Sequence, residues 1–372
     1  MNGSYIHYAT EVSLFSGKTR SYLRYKKIKF NEVLPSASVI KNDIYPNTGL
    51  RMIPVIKTPQ GEYIQDTTSI IDKLEAIHTN TASVYPRSPT QKLASLLMEL
   101  YAEEWLIMPA MHYRWHYKRD NLWFILKEFG ATAAPALPRF LQPLAAIVPA
   151  FYFGRLYKPV LGISKRNMKA IEARYETFLV DLNAHLKNHA YLLGNIPSIA
   201  DFALIAPLYA HLYRDPFPHK LMEKLAPHVC EWVLRMQSLN THIHNEHWKS
   251  DGTVASSLDN IYKMMFKEQF PVLIETVKRV HTRISEKPNE PLPRFLGKAM
   301  FCIDSIPETR YISTYAQWML QRPIRYYQSL GEEEKEDVDS WLHRVSGFEA
   351  MQINIEHAIE KRQNRLHWVN CQ

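Results

Sequence analysis

The residues that decide the fold are 52–70, MIPVIKTPQGEYIQDTTSI. Two short segments with β-forming composition, residues 54–57 and 62–65, flank the tetrapeptide Thr58-Pro59-Gln60-Gly61. Proline presets its own φ angle and glycine tolerates a positive φ, so this tetrapeptide favours a tight turn. The stretch therefore predicts a β-hairpin.

A helix is predicted after the hairpin, and a strand, a helix and a second strand are predicted before it. Apolar residues recur at helical spacing over Thr68–His78. Toward the N-terminus, Tyr5–Tyr8 and Lys29–Leu34 have strand composition, and Ser13–Tyr25 between them has helical composition. Residues 1–80 are therefore predicted to form one α+β domain.

The rest of the chain has mostly helical patterns. We predict an all-helical domain over residues 88–248, in which the prolines of residues 131–162 break any long helix into short pieces. A mostly helical extension is predicted over residues 253–372. Within it we expect one helix over Leu258–Ile284, a hairpin over Ala299–Ser313 and two closing helices.

Composition excludes several classes of protein. The chain has 372 residues with only 12 glycines, and their spacing leaves no glycine-rich nucleotide-binding loop and no nucleophile elbow of the α/β-hydrolase type. The formal net charge is +8, but acidic and basic residues alternate through most of the sequence, so no nucleic acid is expected as a partner. The densest basic stretch, residues 18–29, is interpreted as a solvated helix face.

Cysteine usage and apolar segments indicate the compartment. Cys230, Cys302 and Cys371 are far apart in the sequence and form no C-x-x-C motif, so neither a disulfide framework nor a thiolate zinc site is expected. Phe140–Gly154 is apolar but is interrupted by glutamine and prolines, and it is too short to span a bilayer. Because residues 1–10 lack a signal-peptide pattern, we expect a cytoplasmic protein with no transmembrane segment. A peripheral contact with a membrane stays open.

Ser13 lies between the first predicted strand and the first predicted helix, where a hydroxyl can do two things. It can cap the helix by accepting hydrogen bonds from backbone N–H groups. It can also donate a hydrogen bond to an anion held over the same N-terminus, where the helix dipole favours negative charge. The sequence alone leaves both roles open.

Two further segments have the chemistry to bind a peptide-like ligand. If the Ile53–Pro54 bond is cis, the backbone of Ile53 faces outward and can pair with an extended ligand; the alternative is an ordinary proline that begins a strand. Thr67, a hydroxyl at a helix N-terminus, suits a carboxylate, and Asp66 suits an ammonium group. An α-amino acid group presents both charges together.

These three segments, in this order, resemble the N-terminal domain of the soluble glutathione transferases, in the form with a serine at the first helix. Residues 191–202 resemble a capping box of that family's helical domain, in which Ser198 caps a helix and Asp201 reaches back. The resemblance covers about residues 4–240. It implies a thioredoxin-like N-terminal domain and an all-α glutathione transferase C-terminal domain, followed by an extension outside the family pattern.

The resemblance also implies a homodimeric transferase that uses glutathione as co-substrate and holds no metal. Glutathione would bind with its γ-glutamyl group at Asp66 and Thr67. Its cysteinyl backbone would lie on Ile53 beside Pro54, and Ser13 would lower the pKa of its thiol. The thiolate would then attack a small hydrophobic electrophile, as in detoxification. A non-catalytic member that binds glutathione or only scaffolds a partner is the alternative.

Other residues are secondary candidates. Tyr8 is a rival to Ser13, because other classes of the family use a tyrosine at the end of the first strand, and Arg51 is a candidate for the glycyl carboxylate. The wall for the electrophile is expected from Trp105, Met108, Met111, Tyr113 and Trp115. Two histidine sets have helical or close spacing, but packing or surface roles are expected for both rather than metal binding: His112 with His116, and His242 with His244 and His247.

Overall fold

The computed structural model describes residues 3–79, 81–238, 251–288 and 290–369. These residues form two compact units. Unit 1 is drawn from Met1–Val84, Ala110–Tyr157 and Asp201–Asn245. Unit 2 is drawn from Tyr85–Pro109, Lys158–Ala200 and Glu246–Gln372. Within the described ranges, none of the helices has the length and hydropathy needed to cross a membrane.

Helices dominate both units. In chain order they are α1 Leu14–Tyr25, α2 Ala37–Val39, α3 Tyr45–Thr48, α4 Thr67–Ile77, α5 Pro89–Glu104, α6 Ile107–His116, α7 Lys118–Ala133, α8 Gln142–Val160, α9 Met168–Leu186, α10 Ile199–Pro207, α11 Pro216–Leu225, α12 Pro227–Gln237, α13 Asp259–Glu268, α14 Phe270–Glu286, α15 Thr314–Gln328, α16 Glu332–Arg344 and α17 Phe348–Met351. The strands are β1 Tyr5–Tyr8, β2 Phe30–Val33, β3 Val55–Lys57, β4 Tyr63–Gln65, β5 Phe295–Ile303, β6 Ile306–Ser313, β7 Ile359–Arg362 and β8 Arg365–Trp368.

The sheet of unit 1 has the strand order β2-β1-β3-β4. β1 is parallel to β2, and β3 is antiparallel to both β1 and β4. Tyr8 pairs with Val55 and Val55 pairs with Gln65, so the end of β1, the start of β3 and the end of β4 share one edge. The predicted hairpin is confirmed: Gly61, at φ 90°, donates its N–H to the carbonyl of Thr58 at 2.9 Å.

Both faces of this sheet are covered. His7 contacts Thr19 of α1 through Nε2 at 2.7 Å. The next residue, Tyr8, belongs instead to an apolar cluster with Ile44 and Val55. Because successive strand residues point to opposite faces, α1 lies on one face of the sheet and the segment of α2 and α3 lies on the other.

The basic stretch of α1 is not a solvated face, contrary to the sequence prediction. Lys18, Arg20 and Lys26 are all buried. Arg20 donates to both carboxylate oxygens of Glu32, at 2.7 Å each, and the ammonium of Lys26 lies 2.8 Å from a carboxylate oxygen of Glu75. The reason is that α1 packs on the sheet, so its inward cations are stable only because acceptors surround them.

The prediction that prolines break residues 131–162 into short helices is wrong for α8, which has 19 residues. Pro143 lies in its first turn, where a missing N–H costs nothing. Pro149 lies in the interior, where a proline costs about 3 kcal/mol. Packing offsets this cost, because Ala150 is buried in a cluster with Trp115 and Ile125.

The described residues of unit 2 form two separate hairpins. The predicted one is confirmed as β5 and β6, and the two closing helices are confirmed as α15 and α16. The single helix predicted over Leu258–Ile284 is instead α13 and α14, because Pro271 fits only the first turn of a new helix. The hairpin of β7 and β8 was not predicted. Its turn has positive φ at Gln363 and Asn364, where glycine is the usual signal.

Candidate functional site

The sheet register brings the predicted site segments to one edge of unit 1. Ser13 follows β1 after a short loop. Ile53 and Pro54 directly precede β3, and Asp66 and Thr67 directly follow β4. Since the end of β1, the start of β3 and the end of β4 are paired neighbours, all three segments leave the sheet at the same place.

Ser13 is the N-cap of α1. Its backbone is extended, and its Oγ accepts a hydrogen bond from the N–H of Ser16 at 3.4 Å. The side chain of Ser16 turns inward and accepts from the N–H of Thr10 at 3.3 Å. A hydroxyl that accepts a hydrogen bond keeps its own O–H as a donor. The two roles considered for Ser13 are therefore compatible in one conformation.

The loop before Ser13 is held by residues far along the chain. Arg114 donates to the carbonyl of Val12 at 3.1 Å and makes two 2.6 Å hydrogen bonds to the carboxylate of Asp215, with both side chains buried. The hydroxyls of Thr10 and Thr132 lie 2.7 Å apart. These contacts fix the start of α1 through side chains that sequence reasoning did not identify, since nothing in the local sequence connects Arg114 with Val12.

The Ile53–Pro54 peptide bond is cis. Pro54 is buried and Ile53 is half-buried, and the side chain of Ile53 packs against the cluster that contains Tyr8. The first residue of the β3 ladder is Val55. Ile53 therefore lies just before the first paired residue of β3, at the end of the sheet where β1 and β4 also end.

Asp66 is the N-cap of α4 and has a positive φ of 87°. Its Oδ1 accepts from the backbone N–H groups of Thr68 and Ser69, at 3.1 Å each. Thr67 is the first residue of the helix and is buried. The cap thus uses one carboxylate oxygen of Asp66, and negative charge lies at the positive end of the helix dipole.

Lys18 is a charged neighbour of this helix end. Its side chain is fully buried, and Nζ donates to Oγ1 of Thr68 at 3.3 Å. A buried ammonium beside an N-terminus makes the surroundings favourable for an anion. Sequence reasoning grouped Lys18 with exposed lysines such as Lys27, because composition within a basic run does not distinguish the buried from the solvated positions.

Tyr8 is buried within its apolar cluster, and its ring is stacked on that of Tyr63 with the centroids 6.1 Å apart. Burial raises the pKa of Tyr8, and the hydrogen bond with Tyr63 and the charge of Asp43 raise it further. The phenolate form is therefore disfavoured. Tyr8 can act on a ligand only as a neutral hydroxyl.

The residues predicted to form the electrophile wall are buried, except Met111, which is half-buried. Trp105 and Met108 are buried in unit 2, and Tyr113 and Trp115 are buried in unit 1. Trp115 packs in a core cluster that Met111 also touches. These positions therefore serve as core, which is the ordinary role of such side chains at helical spacing.

The remaining candidate residues are Arg51 and the two sets of histidines. Arg51 is exposed, with its guanidinium 5.2 Å from the centroid of the Tyr45 ring. His112 is buried and stacks on the exposed His116 at 5.0 Å. The predicted set His242, His244 and His247 lies outside the described residues.

Family models match segments within both predicted domains. The model for the glutathione S-transferase N-terminal domain matches residues 8–82, and the model for the C-terminal domain matches residues 144–240. The fold is therefore a thioredoxin-like domain with a small mixed sheet, an all-helical domain and a mostly helical extension. These two segments therefore belong to the two domains of the glutathione S-transferase superfamily. No curated protein sequence matches the chain.

Several solved structures are similar to the chain. A glutathione S-transferase from Rhodospirillum rubrum F11 is 15% identical, with a TM-score of 0.39, over 67% of this chain and 97% of that chain. One from Methylobacillus flagellatus KT, solved with glutathione bound, is 19% identical, with a TM-score of 0.42, over 63% and 95%. The β-etherase LigF from Sphingobium sp. strain SYK-6 is 16% identical, with a TM-score of 0.45, over 63% and 96%.

Proposed function

We propose that this chain is a glutathione transferase that activates the thiol of glutathione for attack on a small hydrophobic electrophile. The observation that carries the proposal is the sheet register, which brings Ser13, Ile53 and the Asp66–Thr67 pair to one edge of unit 1. A hydroxyl, a backbone edge and a helix N-terminus are the groups that an extended γ-glutamyl tripeptide needs.

Binding follows from the chemistry of each group. The backbone of Ile53 pairs with the cysteinyl residue of the tripeptide as an added strand does. The γ-glutamyl carboxylate lies at the N-terminus of α4, where Thr67 and the buried ammonium of Lys18 favour negative charge. Asp66 supplies the negative charge for the γ-glutamyl ammonium, in addition to its capping bonds. The glycyl carboxylate is assigned to Arg51.

Activation follows from the cap of α1. Ser13 keeps its O–H as a donor while its oxygen accepts from Ser16, so it can donate to the thiol sulfur. Together with the positive end of the helix dipole, this donation stabilises the thiolate and lowers the pKa of the thiol. The proton leaves to solvent, and the sulfur lone pair forms the new bond to the electrophilic carbon.

The test combines binding and turnover. Wild-type protein should be retained on immobilised glutathione and should conjugate chlorodinitrobenzene, with chloride as the leaving group. Ser13→Ala should lower kcat/KM about 100-fold, as loss of one donor to a developing anion does. It should also move the acidic limb of the pH–rate profile up toward about pH 8.5, the range of a free thiol, because less of the thiol is then ionised at a given pH. Ser38→Ala, at an exposed serine of unit 1, is the matched control and should match wild type.

Three other outcomes revise or refute the proposal. Retention on glutathione without turnover would identify a non-catalytic glutathione-binding protein. Loss of activity in Tyr8→Phe, with Ser13→Ala unaffected, would transfer the activating role to Tyr8. Absence of any retention would refute glutathione as the ligand.

A further inference from the structure

Three side chains that bind metals well converge in unit 2. His281 lies on α14, and Glu356 and His357 lie between α17 and β7. The two Nδ1 atoms are 2.9 Å apart, and Nδ1 of His281 is 3.2 Å from a carboxylate oxygen of Glu356. One ligand atom from each residue lies within 4.8 Å of the others. The histidines are 76 positions apart, so sequence spacing gave no sign of this group.

The segment that carries Glu356 and His357 is fixed by α15. Gln317 donates to the backbone carbonyl of His357 at 2.8 Å. One turn later, Gln321 donates to the carbonyl of Ile359 at 2.8 Å and accepts from its N–H at 2.7 Å. Both glutamines are buried. The ring of His357 also packs on Trp368, with the centroids 5.3 Å apart. The backbone that carries His357 is therefore held in place by two buried glutamines, and the side chains of His281 and Glu356 are exposed.

We propose that His281, Glu356 and His357 bind a divalent transition-metal ion, with zinc as the best fit. Two imidazole nitrogens at hydrogen-bond distance share a proton, and a metal ion can take the position of that proton. In tetrahedral zinc sites with bonds of 2.0–2.1 Å, neighbouring ligand atoms are about 3.3 Å apart, close to the separations found here. Two histidines and one glutamate leave the fourth position open to water.

The test measures zinc alone on the full-length protein. Titration calorimetry with zinc sulfate should show a site that His281→Ala weakens at least tenfold. Glu356→Gln, which preserves side-chain shape, should weaken it less. His343→Ala, at an exposed histidine of unit 2 outside the group, is the matched control and should leave binding unchanged. Cobalt should give tetrahedral absorption bands with wild type that disappear in His281→Ala.

Two results would overturn the metal site. One is the absence of zinc binding in the wild-type protein. The other is equal zinc affinity in wild type, His281→Ala and Glu356→Gln, which would place the ion elsewhere. Glutathione retention and turnover are separate readouts, so failure of the metal site is distinguishable from failure of the proposed transferase function.

A different observation supports a second inference: α8 and the turn before it expose a row of bulky apolar side chains. Phe140 and Val148 are 77% and 78% exposed. We call this surface the α8 face, and it consists of Leu137, Phe140, Leu144, Ile147, Val148, Phe151, Tyr152 and Leu156. Exposed bulky apolar side chains that recur at helical spacing in this way mark an interaction site.

The charge around the α8 face indicates what covers it. Residues 129–157 contain no aspartate or glutamate, but they contain Arg139 and Arg155. On the adjoining α7, the ammonium of Lys118 lies 5.5 Å from the centroid of the Phe151 ring. Apolar and aromatic side chains bordered by cations match a lipid surface with anionic headgroups. We infer that the α8 face docks on an anionic membrane surface.

Vesicle flotation tests this docking with the full-length protein. Wild type should float with vesicles of phosphatidylcholine and phosphatidylglycerol in equal amounts, and less with pure phosphatidylcholine. Val148→Asp should lower the bound fraction at least tenfold. Leu234→Asp, at a leucine of α12 that is 54% exposed, is the matched control and should float like wild type.

Two outcomes would overturn membrane docking. Wild-type protein that does not float with either vesicle refutes it directly. If Val148→Asp instead abolishes self-association in sedimentation while flotation is unchanged, the α8 face is covered by a second copy of the chain.

Discussion

The helices α1 and α8 differ in burial, and the difference is the opposite of the one that their composition predicts. α1 contains Lys18 and Arg20, yet both are buried. α8 is mostly apolar, yet Leu144 and Val148 are 65% and 78% exposed. Each buried cation of α1 has an acceptor, such as Glu32 for Arg20. The difference teaches that burial in this protein follows the available partners, and hydropathy alone does not predict it.

The largest expected effect comes from removing a buried charge of α1. Arg20→Met leaves the carboxylate of Glu32 without its two 2.7 Å hydrogen bonds from the guanidinium. Because Arg20 is buried and the carboxylate of Glu32 is partly exposed, breaking the pair should cost about 2 kcal/mol, between the values for exposed and buried pairs. Urea unfolding should show this loss. Lys27→Met, at an exposed lysine of the same basic stretch, is the control and should change little. Equal stability of both variants would contradict the burial of Arg20.

The same pair predicts a pH dependence that is smaller, because a quarter of the Glu32 side chain is exposed. Burial alone would raise the pKa of Glu32, but hydrogen bonds from His7 and Arg20 outweigh it and lower the pKa from 4.5 to about 2. The contribution of Glu32 is therefore complete above about pH 4.5 and is lost as the pH falls toward 2. Burial chiefly lowers the pKa of His7, which adds a loss of stability below pH 6.5 in the same direction.

Urea unfolding of wild type and Glu32→Gln at pH 6 and pH 3 measures this dependence. The stability difference between the two proteins should be large at pH 6 and smaller at pH 3. A difference that is the same at both pH values would show that the Glu32 carboxylate contributes nothing through its charge.

The next prediction concerns Gly154, on the side of α8 that packs against Trp115. A Cβ atom at Gly154 would lie 2.8 Å from Cε3 of Trp115. Gly154→Ala should therefore destabilise the protein by about 1–2 kcal/mol, as overpacking does, although alanine is the better helix former. Thermal or urea unfolding measures this. A stabilised Gly154→Ala variant would show that Trp115 moves aside freely.

The smallest effect is expected on the exposed side of the same helix. Val148→Ser should change the free energy of unfolding by less than about 0.5 kcal/mol, because an exposed valine makes few contacts within the chain. The measurement is urea unfolding at two protein concentrations. If Val148→Ser lowers the free energy of unfolding by much more than about 0.5 kcal/mol, and does so only at the higher protein concentration, a second copy of the chain covers the α8 face.

Much of the unit-1 sheet could be predicted from the sequence, because its signals are local. The turn at Gly61, the cap at Ser13 and the proline at position 54 each depend on the chemistry of a few neighbouring residues. The hairpin of β5 and β6 was predicted for the same reason, although its turn has positive φ at Asp304 and Ser305. The site segments themselves follow once the strands and their order are known.

The remaining features depend on contacts between distant parts of the chain. Lys18 differs from Lys27 only in what lies opposite it, and the sequence does not contain that information. Packing that includes Trp115, which is distant in sequence, offsets the cost of placing Pro149 inside α8. The hairpin of β7 and β8 turns at Gln363 and Asn364, which carry no strong turn signal.

The hydrogen bond from Arg114 to the carbonyl of Val12 limits which parts of this protein can be separated from one another. Arg114 and its partner Asp215 come from outside the residues that form the sheet. A fragment that ends at Val84 would contain every strand of the unit-1 sheet and still lose the contacts that set the start of α1. The smallest part of the chain that keeps the position of Ser13 is therefore made of segments that are separate in sequence. If the first 84 residues were joined to another helical domain, the sheet would be transferred but the start of α1 would lose the contacts that position it.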